Sequence, residues 1–119
     1  MNDMQPRIPK YLFDLLDNLF EMEKKVNKLS EPNSIIRNVS RMKEIMHHLD
    51  AVEHFGLSYD SPFGESYNET RTDLEAKIVG TSANNLVVTD VIKPIIRLRI
   101  AGTSVIARKG VVIVESVDR

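Results

Sequence analysis

Cysteine is missing from all 119 residues. Its absence removes disulfides, thiolate metal sites and thiol nucleophiles together. An excess of one charge is missing too: 16 Lys and Arg stand against 17 Asp and Glu, a formal net charge of −1. That balance gives no electrostatic case for a nucleic-acid backbone or an anionic membrane surface. No apolar run approaches the ~20 residues of a spanning helix, and residues 1–9 hold no apolar core of the signal-peptide kind. The expectation is a cytoplasmic chain with no membrane or nucleic-acid partner. Catalytic patterns are equally scarce, with no glycine-rich phosphate loop, no nucleophile elbow and no paired carboxylates beside a base. His47, His48 and His54 invite a test as metal ligands, and His47 and His54 share a helical face at seven-residue spacing. Zinc needs three or four converging ligands, and Asp50 and Glu53 complete no H-E-x-x-H pattern. The residues therefore predict no metal, no cofactor and no enzymatic chemistry.

What is present is apolar periodicity. The chain is 42% hydrophobic and 28% charged, a composition that can fill a core and stay in solution. Leu12, Leu15, Leu19, Met22, Val26 and Leu29 recur at alternating spacings of three and four, a heptad seam. Ile35, Val39, Met42, Met46 and Leu49 keep the same rhythm. These rows predict two helices, over 12–29 and 35–55, broken by Ser30-Glu31-Pro32 because the residue before proline avoids helical angles. Pro9 suits the first helix's opening, Asn33 or Ser34 the second's cap, and Gly56 a left-handed stop after Phe55. Leu16, Phe20, Ile36, Ile45 and Val52 are apolar beyond the seam and ask for further partners, from the rest of the chain or from a second copy. Glu21 and Glu23 near Lys24, Lys25 and Lys28 read either as a solvated face with i,i+4 pairs or as a docking strip.

Residues 57–75 read as an extended or looping connection. Tyr59, Phe63 and Tyr67 are either plugs for a small β core or part of a binding loop. From Ala76 onward the pattern is of strands, at 77–79, 86–92, 96–100, 105–107 and 111–114, with turns rich in Gly and Asn. Ile96, Leu98 and Ile100 alternate with Arg97 and Arg99, so one face is apolar and the other cationic. Pro94 belongs at an edge, a bulge or a turn. The fold class expected is α+β: a flexible lead-in at 1–9, a helical dimerisation region at 10–56, and at 57–119 a connecting loop and small antiparallel β domain leaning on the helices.

Several segments, in this order, resemble the GrpE family, the nucleotide exchange factors of DnaK-type chaperones. Leu15-Leu16-Asp17-Asn18-Leu19 is similar to the family's L-P-x-L-D-N-L/F stretch, and 49–57 (LDAVEHFGL) to L-L-D-x-L-E-K-F-G-V. Gly64-Glu65-Ser66-Tyr67-Asn68 resembles G-E-P-F-D, Ile96-Arg97-Leu98 the Y-K/R-L strand, and Arg108-Lys109-Gly110-Val111-Val112-Ile113-Val114 the R-P-A-x-V-x-V end. The likeness runs over about residues 11–116. The departures are specific. The family's proline in the first segment is absent, its His-Glu-Ala is Thr72-Asp73-Leu74, and a glycine before the Y-K/R-L strand is Ile95. An arginine near the last hairpin is Thr103 or Ser104, and a glycine of the second bundle helix falls at Ser40. The family's long coiled coil has no counterpart ahead of Leu12, so the resemblance is to a short, divergent form.

The resemblance implies a co-chaperone of protein folding and the stress response. It implies a homodimer built on a four-helix bundle, with a β domain that opens the nucleotide cleft of a DnaK-type ATPase domain so that ADP leaves. Arg97, Arg99, Arg108 and Lys109 are then the expected docking residues, with Ser40 a weaker contact on the helix. Leu12, Leu15, Leu19, Met22, Val26, Ile35, Val39, Met42, Met46 and Leu49 form the expected dimer seam. Two other readings stand beside these. The arginines are equally explained as edge-strand charge that blocks sheet-to-sheet association. The whole chain also fits a GrpE-fold adaptor that binds another protein without exchanging nucleotide.

Overall fold

The computed structural model describes residues 8–29, 34–48 and 55–117. Two helices precede a β-rich region: α1 Lys10–Asn27, α2 Ile35–His47, β1 Gly56–Asp60, β2 Ser66–Tyr67, β3 Leu74–Val79, β4 Leu86–Lys93, β5 Ile95–Ile100, β6 Thr103–Arg108 and β7 Gly110–Ser116. The α+β class is as expected. No described helix is long and apolar enough to cross a membrane.

α1 starts directly after Pro9, whose fixed φ of −59° leads into the first turn. α2 starts after Ser34, whose hydroxyl makes no capping hydrogen bond. α2 ends earlier than its periodicity predicts, at His47, with His48 N–H donating to Glu44 O at 3.0 Å. Gly56 is therefore not a left-handed stop but the first residue of β1. It must be glycine for lack of room: a Cβ there would lie 2.1 Å from the His47 carbonyl oxygen. Leu49 and Val52 of the expected helix lie outside the described residues.

The strands form two sheets, a three-stranded one in the order β1-β5-β6 and a four-stranded one in the order β2-β4-β7-β3. The chain changes sheet at buried Pro94, between β4 and β5, and again at Lys109, between β6 and β7. Bulges in β4 and at the start of β5 supply the bend that such corners need. Proline fits the first corner because no ladder bond is asked of its missing N–H. At the second, a Cβ on Gly110 would sit 3.0 Å from both Ile95 and Leu74 side chains.

The β region is not wholly antiparallel, as the strand pattern led one to expect. β3 pairs with β7 in parallel, Leu74 opposite Gly110 through Val79 opposite Glu115. A parallel pair needs a long crossover, and here that crossover is β4, β5 and β6. β1 and β2 occupy the stretch read as an extended or looping connection, where no strand was assigned. Leu57 and Tyr59 are buried while Asp60 is exposed, a short in-out alternation. Of the three rings in that stretch, Tyr59 is buried, Tyr67 half-buried and Phe63 67% exposed.

The helices and the sheets share one core. Leu16, Leu19 and Phe20 of α1 and Met46 of α2 belong to the same buried cluster as Leu57, Ile96, Leu98, Val88, Val112 and Val114. Burial of such side chains is worth about 1.5–3 kcal/mol each, so these residues fasten the helices to a core that the strands themselves mostly fill. The residues of the expected seam are thereby divided between the core and the surface. Leu19, Val39 and Met46 are buried and Leu12, Val26 and Met42 half-buried, but Leu15, Met22, Leu29 and Ile35 are 45%, 40%, 54% and 45% exposed. Leu16 and Phe20, outside the seam by spacing, join Leu19 and Met46 of the seam in the core shared with the sheets.

Candidate protein-docking surface

Cationic side chains are where the sequence placed the site, and the fold uses most of them internally. Arg97 and Arg99 lie on the face of β5 opposite Ile96 and Leu98, as the alternation requires. Arg97 pairs with the Asp60 carboxylate on neighbouring β1. Arg99 donates to the His47 carbonyl at 3.1 Å, a cation on the open C-terminal carbonyls of α2. Arg108 donates to both Asp17 oxygens, at 2.8 and 2.7 Å, and to Pro94 O at 3.0 Å. Its guanidinium also lies 5.9 Å from the Phe13 ring centroid. The three arginines therefore face three different partners.

Arg108 and Lys109 do meet at one place. With Lys93, they edge a shallow depression of about 340 Å³ floored by Val111 and faced by Glu75. Lys93 was not singled out by sequence reasoning, because it lies in a β-branched run and gains its neighbours only through the β4–β7 pairing, where it stands opposite Val111. Lys93 and Lys109 are both exposed. Ser40 is exposed on α2.

A second feature lies on the helices. Leu15, Met22 and Leu29 repeat every seventh residue along α1 and just past its end, all exposed, with Tyr11 70% exposed beside them. Ile35 and Ile45 of α2 are 45% and 53% exposed. Exposed apolar rows of this kind mark interaction surfaces when they are contiguous.

Glu23, read as part of an outer charged face, is instead turned inward. It accepts from Tyr59 OH at 2.9 Å and pairs with Lys43 of α2 at 3.2 Å, so α1, α2 and β1 are tied at one carboxylate. Lys43 also sits 4.8 Å from the Tyr59 ring centroid. Burial, the hydrogen bond and the Glu23 charge together push the Tyr59 phenol well above the usual tyrosine range. Lys24 pairs with Glu21 at 3.5 Å and reaches Val91 O of β4 at 3.4 Å.

The Gly64-Glu65 turn is fixed to the four-stranded sheet. Gly64, at φ 83°, donates to Val88 O at 2.9 Å, and Val88 N–H returns a bond of 2.9 Å to Glu65 O. Arg71 reaches back to Glu65 at 3.1 Å and Ser66 O at 3.0 Å while holding both Asp73 oxygens. The Arg71 hydrogen bonds keep the Asp73 carboxyl below the usual carboxylate range, against the opposing pull of burial.

His47 and His48 stack edge to face with ring centroids 5.1 Å apart, and His54 lies outside the described residues. Among the described residues no three His, Asp or Glu side chains converge as a metal site. Compared with protein-family models, curated proteins and solved structures, the chain matches none.

Proposed function

We propose that this chain is a GrpE-like co-chaperone that acts in the cytoplasm as a homodimer, binds the ATPase domain of a DnaK-type chaperone and promotes ADP release. One observation carries the reading. Two helices with an outer apolar row at seven-residue spacing precede a small two-sheet unit tied in by a Gly-Glu turn. The inner edge of α1 is occupied by the β core, so Leu15, Met22 and Leu29 are left for a second copy, and four helices from two copies would make a bundle. The β unit would bind the open form of the ATPase domain better than the closed form, and that difference in affinity shifts the population toward the open cleft. No bond is made or broken by the exchange factor.

The test is stopped-flow release of a fluorescent ADP analogue from a DnaK-type chaperone, with and without the protein. Saturating acceleration supports the exchange reading. Absence of both acceleration and binding overturns it.

A second reading has its own support. Arg97, Arg99 and Arg108 are engaged within the fold, which leaves Lys93 and Lys109 as the cations open to a partner on that side. With so few such contacts, the same fold fits a dimeric adaptor that binds a partner through its β unit without exchange. Binding without faster ADP release selects this reading.

A further inference from the structure

A cleft of about 360 Å³ lies between the last turns of α1 and the turn that precedes β2. It is separate from the depression at Lys93 and Lys109 and from the helical row, and nothing in the proposed exchange function uses it. Its floor is apolar: Phe20 and Val91 are 4% and 3% exposed. Its wall is Phe63, which is 67% exposed. That ring does not hang on a loose loop. Pro62 is fully buried, and Glu65 N–H donates to Pro62 O at 3.1 Å, with the two Gly64–Val88–Glu65 bonds following. The backbone is thus pinned around an aromatic side chain that points outward, and a ring fixed beforehand gives up little entropy when a ligand covers it.

The charges at the cleft are uneven. Lys24 leans over Phe20, its Nζ 5.0 Å from the ring centroid, donates to Val91 O at 3.4 Å and pairs with Glu21 at 3.5 Å. Lys28, at the C-cap of α1, has no ion-pair partner among the described residues. Across the cleft Asp90 spends one oxygen on the Val91 N–H at 2.9 Å. An apolar slot with cations along one wall matches a ligand that offers an aromatic ring beside a carboxylate.

We infer that this cleft docks an acidic peptide segment of another protein, with one aromatic side chain packed on Phe63 above Phe20 and Val91 and a flanking carboxylate on Lys24 and Lys28. The test is fluorescence anisotropy with labelled Glu-Asp-Phe-Glu-Asp, against Glu-Asp-Ala-Glu-Asp and Lys-Lys-Phe-Lys-Lys. The acidic phenylalanine peptide should bind saturably, and both controls about tenfold or more weaker. Phe63→Ala and Lys28→Glu should each weaken binding about tenfold. Both positions are exposed, so an unchanged circular dichroism spectrum and thermal midpoint separate lost binding from lost fold. Affinity should fall as salt rises, because these charges are solvent-screened. Three outcomes overturn the assignment: no saturable binding of the acidic peptide, equal binding of the alanine peptide, or full binding by both variants. Preference for the basic peptide, or for a single-stranded oligonucleotide run alongside, also overturns it.

Discussion

Arg108 at the end of β6 grips Asp17 in the middle of α1 through both carboxylate oxygens, at 2.8 and 2.7 Å, across 91 positions of sequence. The two side chains are 22% and 23% exposed, so water screens the pair only in part. Alanine at either position should cost about 1–3 kcal/mol, below the figure for a fully buried pair. The double variant should reveal a coupling of about 0.5–3 kcal/mol. Urea unfolding of the four proteins measures it, and additive losses would mean that the fork contributes geometry without energy.

Tyr59 gives the fold an alkaline limit. Its phenol is held protonated in the folded protein, first by burial and then by Glu23. The folded-state pKa is raised, so the contribution is complete below the unfolded value of about 10 and is lost as pH climbs above it. Tyr59→Phe should lose about 1 kcal/mol at neutral pH with the hydrogen bond, and should flatten the decline in stability above pH ~10. Denaturant midpoints on either side of that pH decide it. A decline of equal steepness in the variant would place its origin elsewhere.

The opposite limit lies with Asp73. Arg71 lowers its folded pKa, so its contribution is full above the unfolded value of about 3.9 and disappears as pH falls through the lower folded value. Asp73→Asn should therefore be less stable than the parent at neutral pH, and the gap should narrow in acid below pH ~4. Thermal melts across that range supply the comparison. A gap that stays constant into acid would contradict the Arg71 assignment.

At Gly56, alanine cannot be accommodated without moving the end of α2, since its Cβ would lie 2.1 Å from the His47 oxygen. Overpacking of this kind costs about 1–3 kcal/mol. Hydrogen exchange should show the loss concentrated in α2 and β1. A melting temperature equal to the parent's would mean that the α2–β1 junction yields freely.

Leu15 and Leu16 are neighbours with opposite expected effects. Leu16 is fully buried and Leu15 is 45% exposed. Leu16→Ala should destabilise the fold by about 2–5 kcal/mol. Leu15→Ala should leave the fold within about 0.5 kcal/mol and weaken the proposed homodimer. Unfolding curves paired with sedimentation separate the two effects, and a dimer indifferent to Leu15 would exclude the outer row as its seam.

Local pattern was enough to find both helices and the Ile96–Ile100 alternation; a turn expected over 101–104 is confined to Ala101-Gly102, with Thr103 and Ser104 already in β6. It failed where the answer depends on what lies opposite. The Leu12–Leu29 spacing fixes a helix and its period, but not which edge of the apolar arc meets the sheets; Leu16 and Phe20 are chosen by the β core. Gly56-Leu57-Ser58-Tyr59-Asp60 offered only two inward residues, too few to stand out from a loop. The arginines were legible as an outward face, yet their partners Asp60, His47 O and Asp17 come from other elements, and spacing along one strand is silent about those. The Phe63 cleft had a signal in the Pro-Phe-Gly turn, but only the pinned backbone turns an aromatic residue there into an exposed one.

A strand at the heart of the four-stranded sheet, β7, follows both β3 and β4 in sequence. A chain emerging from the ribosome therefore has β3 and β4 in hand, each with an unfilled side, before the element that joins them exists. The sheet closes only once β7 has been made, and the pairing that closes it is of high contact order and hence slow. Until then the apolar faces of β3 and β4 are open to wrong partners, a window in which such a chain depends on its surroundings to reach its own fold.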